Sequence, residues 1–274
     1  MTYRDQTGLA TTVASKLSME QYDGAISNLS LWRDPSPLID RALEDDEDFL
    51  LGHAFRTYMN LLPSDRDLLG SARQSLARVR EIVEKNDGLT GREALHVDAL
   101  EEWALGNMKV AGQILDQLLD EYPTDMLAIW MGHQLDFYLG DSHNLCSRID
   151  RIMPNWDKSH RLYGFLLGMH SFGLEESGNY KAAEDVGRES VTLNPQDVWG
   201  IHAVALSLEM QGEFDSGATY MGEHFEHWSK GNFFYPHNAL HAALFRLEQN
   251  DVDGVLALYD SYICLLYTSP SPRD

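Results

Sequence analysis

Cysteine is nearly missing from this 274-residue chain, and the two present, Cys146 and Cys264, cannot build a disulfide framework. Basic residues are scarce as well: 21 Lys and Arg stand against 43 Asp and Glu, for a formal charge of −22. A surface of that sign repels phosphate backbones and anionic headgroups, so neither nucleic acid nor a membrane is expected as a partner. No apolar run reaches the roughly 18 residues that a membrane-spanning helix needs, and Met1 to Leu9 lack the apolar core of a signal peptide. A cytoplasmic location is the expectation. Also missing are a glycine-rich phosphate loop, a serine nucleophile elbow and a cysteine pair. Cys146 has only Arg148 and Arg151 as basic neighbours in sequence, so no nucleophilic role is expected of it.

What the chain does contain is a glycine register. Gly106, Gly140, Gly178 and Gly212 recur at spacings of 34, 38 and 34 residues, each closing one amphipathic stretch and opening another. A period of about 34 residues is that of the tetratricopeptide repeat, two antiparallel helices per unit. The register predicts an all-α fold, a right-handed α-α superhelix of tetratricopeptide-type helical hairpins. Such hairpins cannot bury their apolar faces alone and must stack.

Four segments follow. Residues 1–21 read as a polar lead-in. Residues 22–89 read as helices of irregular period, including a short one from Tyr22 to Trp32, another at Leu38–Leu43, one from Phe49 to Leu62 and one from Leu68 to Val83. Residues 90–263 read as tetratricopeptide-like repeats. Thr90 with Glu93 forms a predicted capping box, and Asp125 and Asp197 are placed to cap the first helices of later repeats. The predicted pairs are 90–106 with 108–121, 126–139 with 142–152, 159–177 with 180–193, 198–211 with 214–228, and 237–249 with 252–263. Residues 264–274 continue no repeat. Their reverse translation resembles a transposase sequencing adapter read in frame, so a non-native tail and a truncated natural chain are expected.

Certain phrases go beyond the generic repeat. Gly168-Met169-His170-Ser171-Phe172-Gly173-Leu174-Glu175-Glu176, Trp199-Gly200-Ile201-His202-Ala203-Val204-Ala205 and Leu208-Glu209-Met210-Gln211-Gly212 are three of them. His237-Asn238-Ala239-Leu240-His241 and Ala257-Leu258-Tyr259-Asp260 are two more. Together they resemble the tetratricopeptide repeat protein 38-like family over most of residues 20–263. The resemblance implies a longer natural chain. That family often carries a second histidine four residues after the one matching His202, where this chain has Leu206, so no two-histidine site is carried over there.

In a tetratricopeptide superhelix the first helix of each pair lines the concave surface. Counting back from each glycine, or from Asn250 in the last pair, places His96, Trp103, Trp130, Gln134, Phe137, Tyr138, Phe165, Phe172, Glu175, Glu176, Trp199, His202, Glu209 and His237 at a candidate ligand-binding groove, which His241 joins one turn on from His237. Glu176 falls beside Glu175 on the same stretch. The set is aromatic, acidic and histidine-bearing, with no Lys or Arg, and so fits a cation, a basic or aromatic peptide, or a flat small molecule better than a carboxylate. His133 counts to a position facing the partner helix and is expected to pack.

His237 and His241 are four apart on one helix, with His202 on the first helix of the preceding pair. The three are candidate ligands for a divalent metal, the one cofactor the sequence points to. Position 238 is asparagine, so the metalloprotease pattern with glutamate after the first histidine is not met. Two functions are expected as alternatives: a non-catalytic repeat scaffold holding a peptide or small ligand, and a metal-dependent or oxidative enzyme using the three histidines, completed by sequence beyond residue 263. The sequence fixes no oligomeric state.

Overall fold

The computed structural model describes residues 2–85 and 88–264. A short antiparallel hairpin, β1 (Thr2–Arg4) and β2 (Ala10–Thr12), precedes the helices. These are α1 (Lys16–Ser30), α2 (Ser36–Asp45), α3 (Leu50–Leu61), α4 (Leu69–Lys85), α5 (Gly91–Ala104), α6 (Met108–Glu121), α7 (Met126–Leu139) and α8 (Ser142–Ile152), then α9 (Tyr163–Glu176), α10 (Tyr180–Leu193), α11 (Val198–Met210), α12 (Phe214–Glu223), α13 (Phe225–Trp228), α14 (Tyr235–Glu248) and α15 (Val252–Leu258). The all-α class of tetratricopeptide-type hairpins holds. No helix among the described residues is long and apolar enough to cross a membrane.

The register works through left-handed backbone. Gly106, Gly140, Gly178 and Gly212 have φ of 85°, 66°, 77° and 72°, a region that costs a residue with a Cβ roughly 1 kcal/mol or more. Each lets the amide after it reach a carbonyl one helical turn back, as Asn107 N does to Glu102 O at 2.9 Å, which satisfies carbonyls the helix end would leave bare. Asn250, counted in place of a glycine, has φ of 59°. Caps close the other ends: Thr90 and Glu93 form both bonds of the capping box, and Asp125 and Asp197 accept amides of α7 and α11.

The chain divides into two compact units, one comprising Met1–Leu29 with Asp34–Trp156 and the other Ser30–Arg33 with Asp157–Asp274. In the first unit α3 packs with α4, α5 with α6 and α7 with α8. Residues 1–21 are more than the expected polar lead-in. The hairpin docks on α5, where Thr12 N donates to Glu93 Oε1 at 3.1 Å and Arg92 donates to Thr11 Oγ1 at 3.0 Å. Its strands are too short for alternation to show in the sequence. Helix α1 also begins at Lys16, before the predicted Tyr22.

In the second unit α9 packs with α10, α11 with α12 and α14 with α15, around Ile201, Val204, Leu208, Met221, Trp228 and Phe245. The pair predicted at 198–211 and 214–228 breaks at His224, between α12 and α13. Residues Ser30–Arg33 form a strap in this unit: Phe233 N donates to Trp32 O at 2.8 Å and Arg33 Nε to Gly231 O at 3.0 Å. Trp32 itself has φ of 53°. Apart from Cys264, the expected non-native tail lies outside the described residues.

Candidate functional site

The site in the second unit is built on three first helices, α9, α11 and α14. Helix α11 starts at Asp197, whose carboxylate accepts from Trp199 N at 3.2 Å and from Ser190 Oγ at 2.7 Å. A Cβ at Gly168 would lie 2.2 Å from Asp197 Oδ2 and 3.2 Å from Gly200 N, so only glycine allows α9 this close to the start of α11. Burial pushes the Asp197 carboxyl up to about 7 against the donors around it. Helix α14 is then docked on α11 by the fully buried Asn238, whose Nδ2 donates to Val198 O at 3.1 Å. That contact turns the residue following His237 away from the histidines.

On these helices the periodicity puts Trp199, His202 and Glu209 on one face of α11, with His237 and His241 on the facing side of α14. The His237 Nε2 lies 3.0 Å from the Nε2 of His202 and 3.2 Å from that of His241. His241 Nδ1 meets Glu209 Oε2 at 3.0 Å. The Nδ1 of His202 is buried without a hydrogen-bond partner. His202 and His241 are 3% and 6% exposed, whereas His237 is open to solvent and marks the mouth of the cluster. Burial, followed by the charges His241 and His237 would carry, pushes His202 well below the ordinary imidazole range. Desolvation of its ring, followed by His241, takes His237 down to about 4. The His202 and His237 rings are therefore neutral at pH 7.

Aromatic rings wall the cluster. Trp199 stacks on Trp32 at 4.9 Å and 18°, and Phe172 lies 4.6 Å from Trp199. Phe234 stands edge-on to His202 at 5.2 Å and 87°. The acidic side is made by Glu209 with Glu175. Burial, then the charges of Glu176 and Glu209, push Glu175 up to about 7.

Thus Phe172, Glu175, Trp199, His202, Glu209, His237 and His241 come together as expected from the register. Of the other candidates, His96, Trp130, Gln134 and Tyr138 belong to the first unit. His96 is 0% exposed in the first unit, with Nε2 3.0 Å from Asp125 Oδ2 and Nδ1 3.2 Å from the Tyr58 hydroxyl. Asp125 is shared with Arg92, 2.5 Å away, and Arg92 also pairs with Asp5 at 2.8 Å. Burial alone would raise the Asp125 carboxyl, but Arg92 and His96 beside it hold it well below the usual range. Trp130 and Gln134 are buried in α7, at 2% and 5% exposed. Tyr138 is 44% exposed at the end of α7, beside Phe137 at 5.9 Å.

His133 is buried as expected, and burial followed by Arg148 pushes it down to about 3. Burial, then Asp150, pushes the Cys146 thiol up to about 11, which suits an unreactive cysteine. Two wall residues escaped the sequence reading. Trp32 belongs to a strap far away in sequence, and Phe234 falls in a segment without helical period.

A cavity of about 940 Å³ lies in the first unit, among Asp40, Arg56, Arg78 and Glu81. Arg56 there pairs with Asp40 at 2.5 Å, and Arg78 with Asp48 at 2.7 Å and Glu81 at 2.9 Å. None of the groove residues lines it.

No family model matches the chain. Among solved structures it is similar to the apo form of RapI, with a TM-score of 0.58 and 12% identity over 93% of this chain and 77% of that one. RapI is a helical-repeat protein, and the likeness shows the fold. PilW, a widely conserved type IV pilus biogenesis factor, matches at a TM-score of 0.46 and 12% identity, over 94% of this chain and 97% of that one.

Proposed function

We propose that the chain is a helical-repeat binding protein that holds a small cation or a basic peptide at the histidine cluster of its second unit. With this goes membership of the tetratricopeptide repeat protein 38-like group, which rests on the phrases quoted above. The observation that carries the binding function is the convergence of His202, His237 and His241 beside Glu209. Three imidazoles turn nitrogen atoms to one point, with a carboxylate behind one of them and aromatic rings around the rest. Lone pairs, carboxylates and ring faces all favour positive charge.

The test is a thermal-shift panel of arginine-rich peptides, quaternary ammonium ions and divalent metal salts, run on the wild type and on His237→Ala, which alters the exposed member of the cluster. At least one probe class is expected to stabilise the wild type and to lose that effect in the variant. Responses that are equal in both proteins across the panel would sink the proposal.

A further inference from the structure

With all three rings neutral, hydrogen bonding does not account for the three converging imidazoles. His241 Nδ1 must donate to Glu209, which leaves its Nε2 bare in the neutral ring. If His237 Nε2 is also bare, two lone pairs confront each other at 3.2 Å. If instead it carries the proton and donates to His241, the His202 Nε2 only 3.0 Å away has to be bare, because two N–H groups cannot point at one another. The proton of His202 then sits on its Nδ1, which is buried and has no acceptor. Every neutral arrangement leaves a repulsion or an unpaired donor worth about 1–3 kcal/mol. An acceptor of three lone pairs at the centre removes the repulsion and needs no proton there.

We infer that His202, His237 and His241 form a three-nitrogen site for a divalent late transition metal ion, of which Zn²⁺ is the type, with Glu209 orienting His241 from behind. The inference rests on the binding function proposed above and names the ligand of that same cluster. A tetrahedral ion at about 2.0–2.1 Å from each nitrogen needs donors about 3.3 Å apart. Two of the three separations are 3.0 and 3.2 Å, and all three donor atoms lie within 4.8 Å of one another. Imidazole donors select zinc, copper, nickel or iron over the hard ions magnesium and calcium, which want oxygen.

The Glu209 carboxylate on His241 is the outer partner that fixes tautomer and ring orientation in such sites. Among the His, Cys, Asp and Glu of the described residues, three donors converge here, and His237 stands at the solvent-facing mouth. The fourth position is therefore exchangeable, open to water or to a donor atom of a bound molecule. The unpaired Nδ1 of His202 is the weak point of the site and limits its affinity.

Protein freed of any affinity tag and stripped with chelator is titrated with Co²⁺, then with Zn²⁺ in competition. One equivalent of Co²⁺ should give the visible d–d bands of a low-coordinate nitrogen site, and Zn²⁺ should displace it. His237→Ala should abolish the spectrum, and Glu209→Gln should weaken binding by about 10–100-fold. His237→Asn, with the wild-type far-UV spectrum as the check on folding, should lose the bands too. Bands that persist unchanged in His237→Ala and His237→Asn, or a wild type that gives none, overturn the inference. If the wild type gives no bands but a basic peptide still produces a His237-dependent thermal shift, the metal fails and the binding function stands. If neither probe responds, both fail.

Discussion

His96 and His202 stand ten residues before their repeat glycines, Gly106 and Gly212, and each reaches toward the first helix of the following pair. What they find there differs. His96 meets the carboxylate of Asp125 on one nitrogen and the Tyr58 hydroxyl on the other, with Arg92 balancing the charge. His202 meets two more imidazoles and leaves its far nitrogen bare. The same holds for the caps fifteen residues before Gly140 and Gly212. Asp125 is held ionised by Arg92, whereas Asp197 is buried with hydroxyl and amide donors and is pushed up to about 7. The repeat sets where a side chain points, and the neighbouring helix decides its chemistry.

The contrast is broken most severely at Arg92. Arg92→Met strands Asp5 and Asp125 as uncompensated buried charges and should cost about 3–5 kcal/mol in denaturant titration. A loss under 1 kcal/mol would mean that the network adds little to the first unit.

The second test is Asp197→Asn. A folded carboxyl near 7, against about 3.9 unfolded, stabilises most below pH 4 and loses that contribution as pH rises through 7. Relative to the variant, the wild type should therefore lose about 2–4 kcal/mol between pH 4 and pH 8. Parallel stability curves for the two proteins would show that Asp197, like Asp125, is ionised when folded. The smallest effect is expected from Tyr58→Phe, which gives His96 the bare Nδ1 that His202 already has. A loss of about 1–2 kcal/mol by the same titration fits a buried group losing one partner; no loss would remove the distinction between the two histidines.

The helical hairpins were legible because their rules are local. Left-handed glycines, capping carboxylates and 3.6-residue periodicity act over a single turn, and Asn250 could be counted as a glycine substitute for that reason. The histidine cluster was legible to the same extent, since His202, His237 and His241 sit on first helices of adjacent pairs. A register gives a direction, however, and does not say whether the space in that direction is empty. His96, Trp130 and Gln134 are buried. Arg92 reaching Asp125 across 33 residues, and Trp32 stacking on Trp199, depend on contacts that no periodicity encodes.

The Ser30–Arg33 strap carries a kinetic consequence. Its bonds to Gly231 and Gln196 close loops of 198 and 163 residues. Loop closure costs chain entropy that grows with the logarithm of length, and contacts of high sequence separation slow folding. On the ribosome the strap emerges long before Trp199 and Phe234 exist. The aromatic wall of the cluster therefore closes only after α11 and the residues leading into α14 have been made, and its assembly is a late event in the life of each new chain.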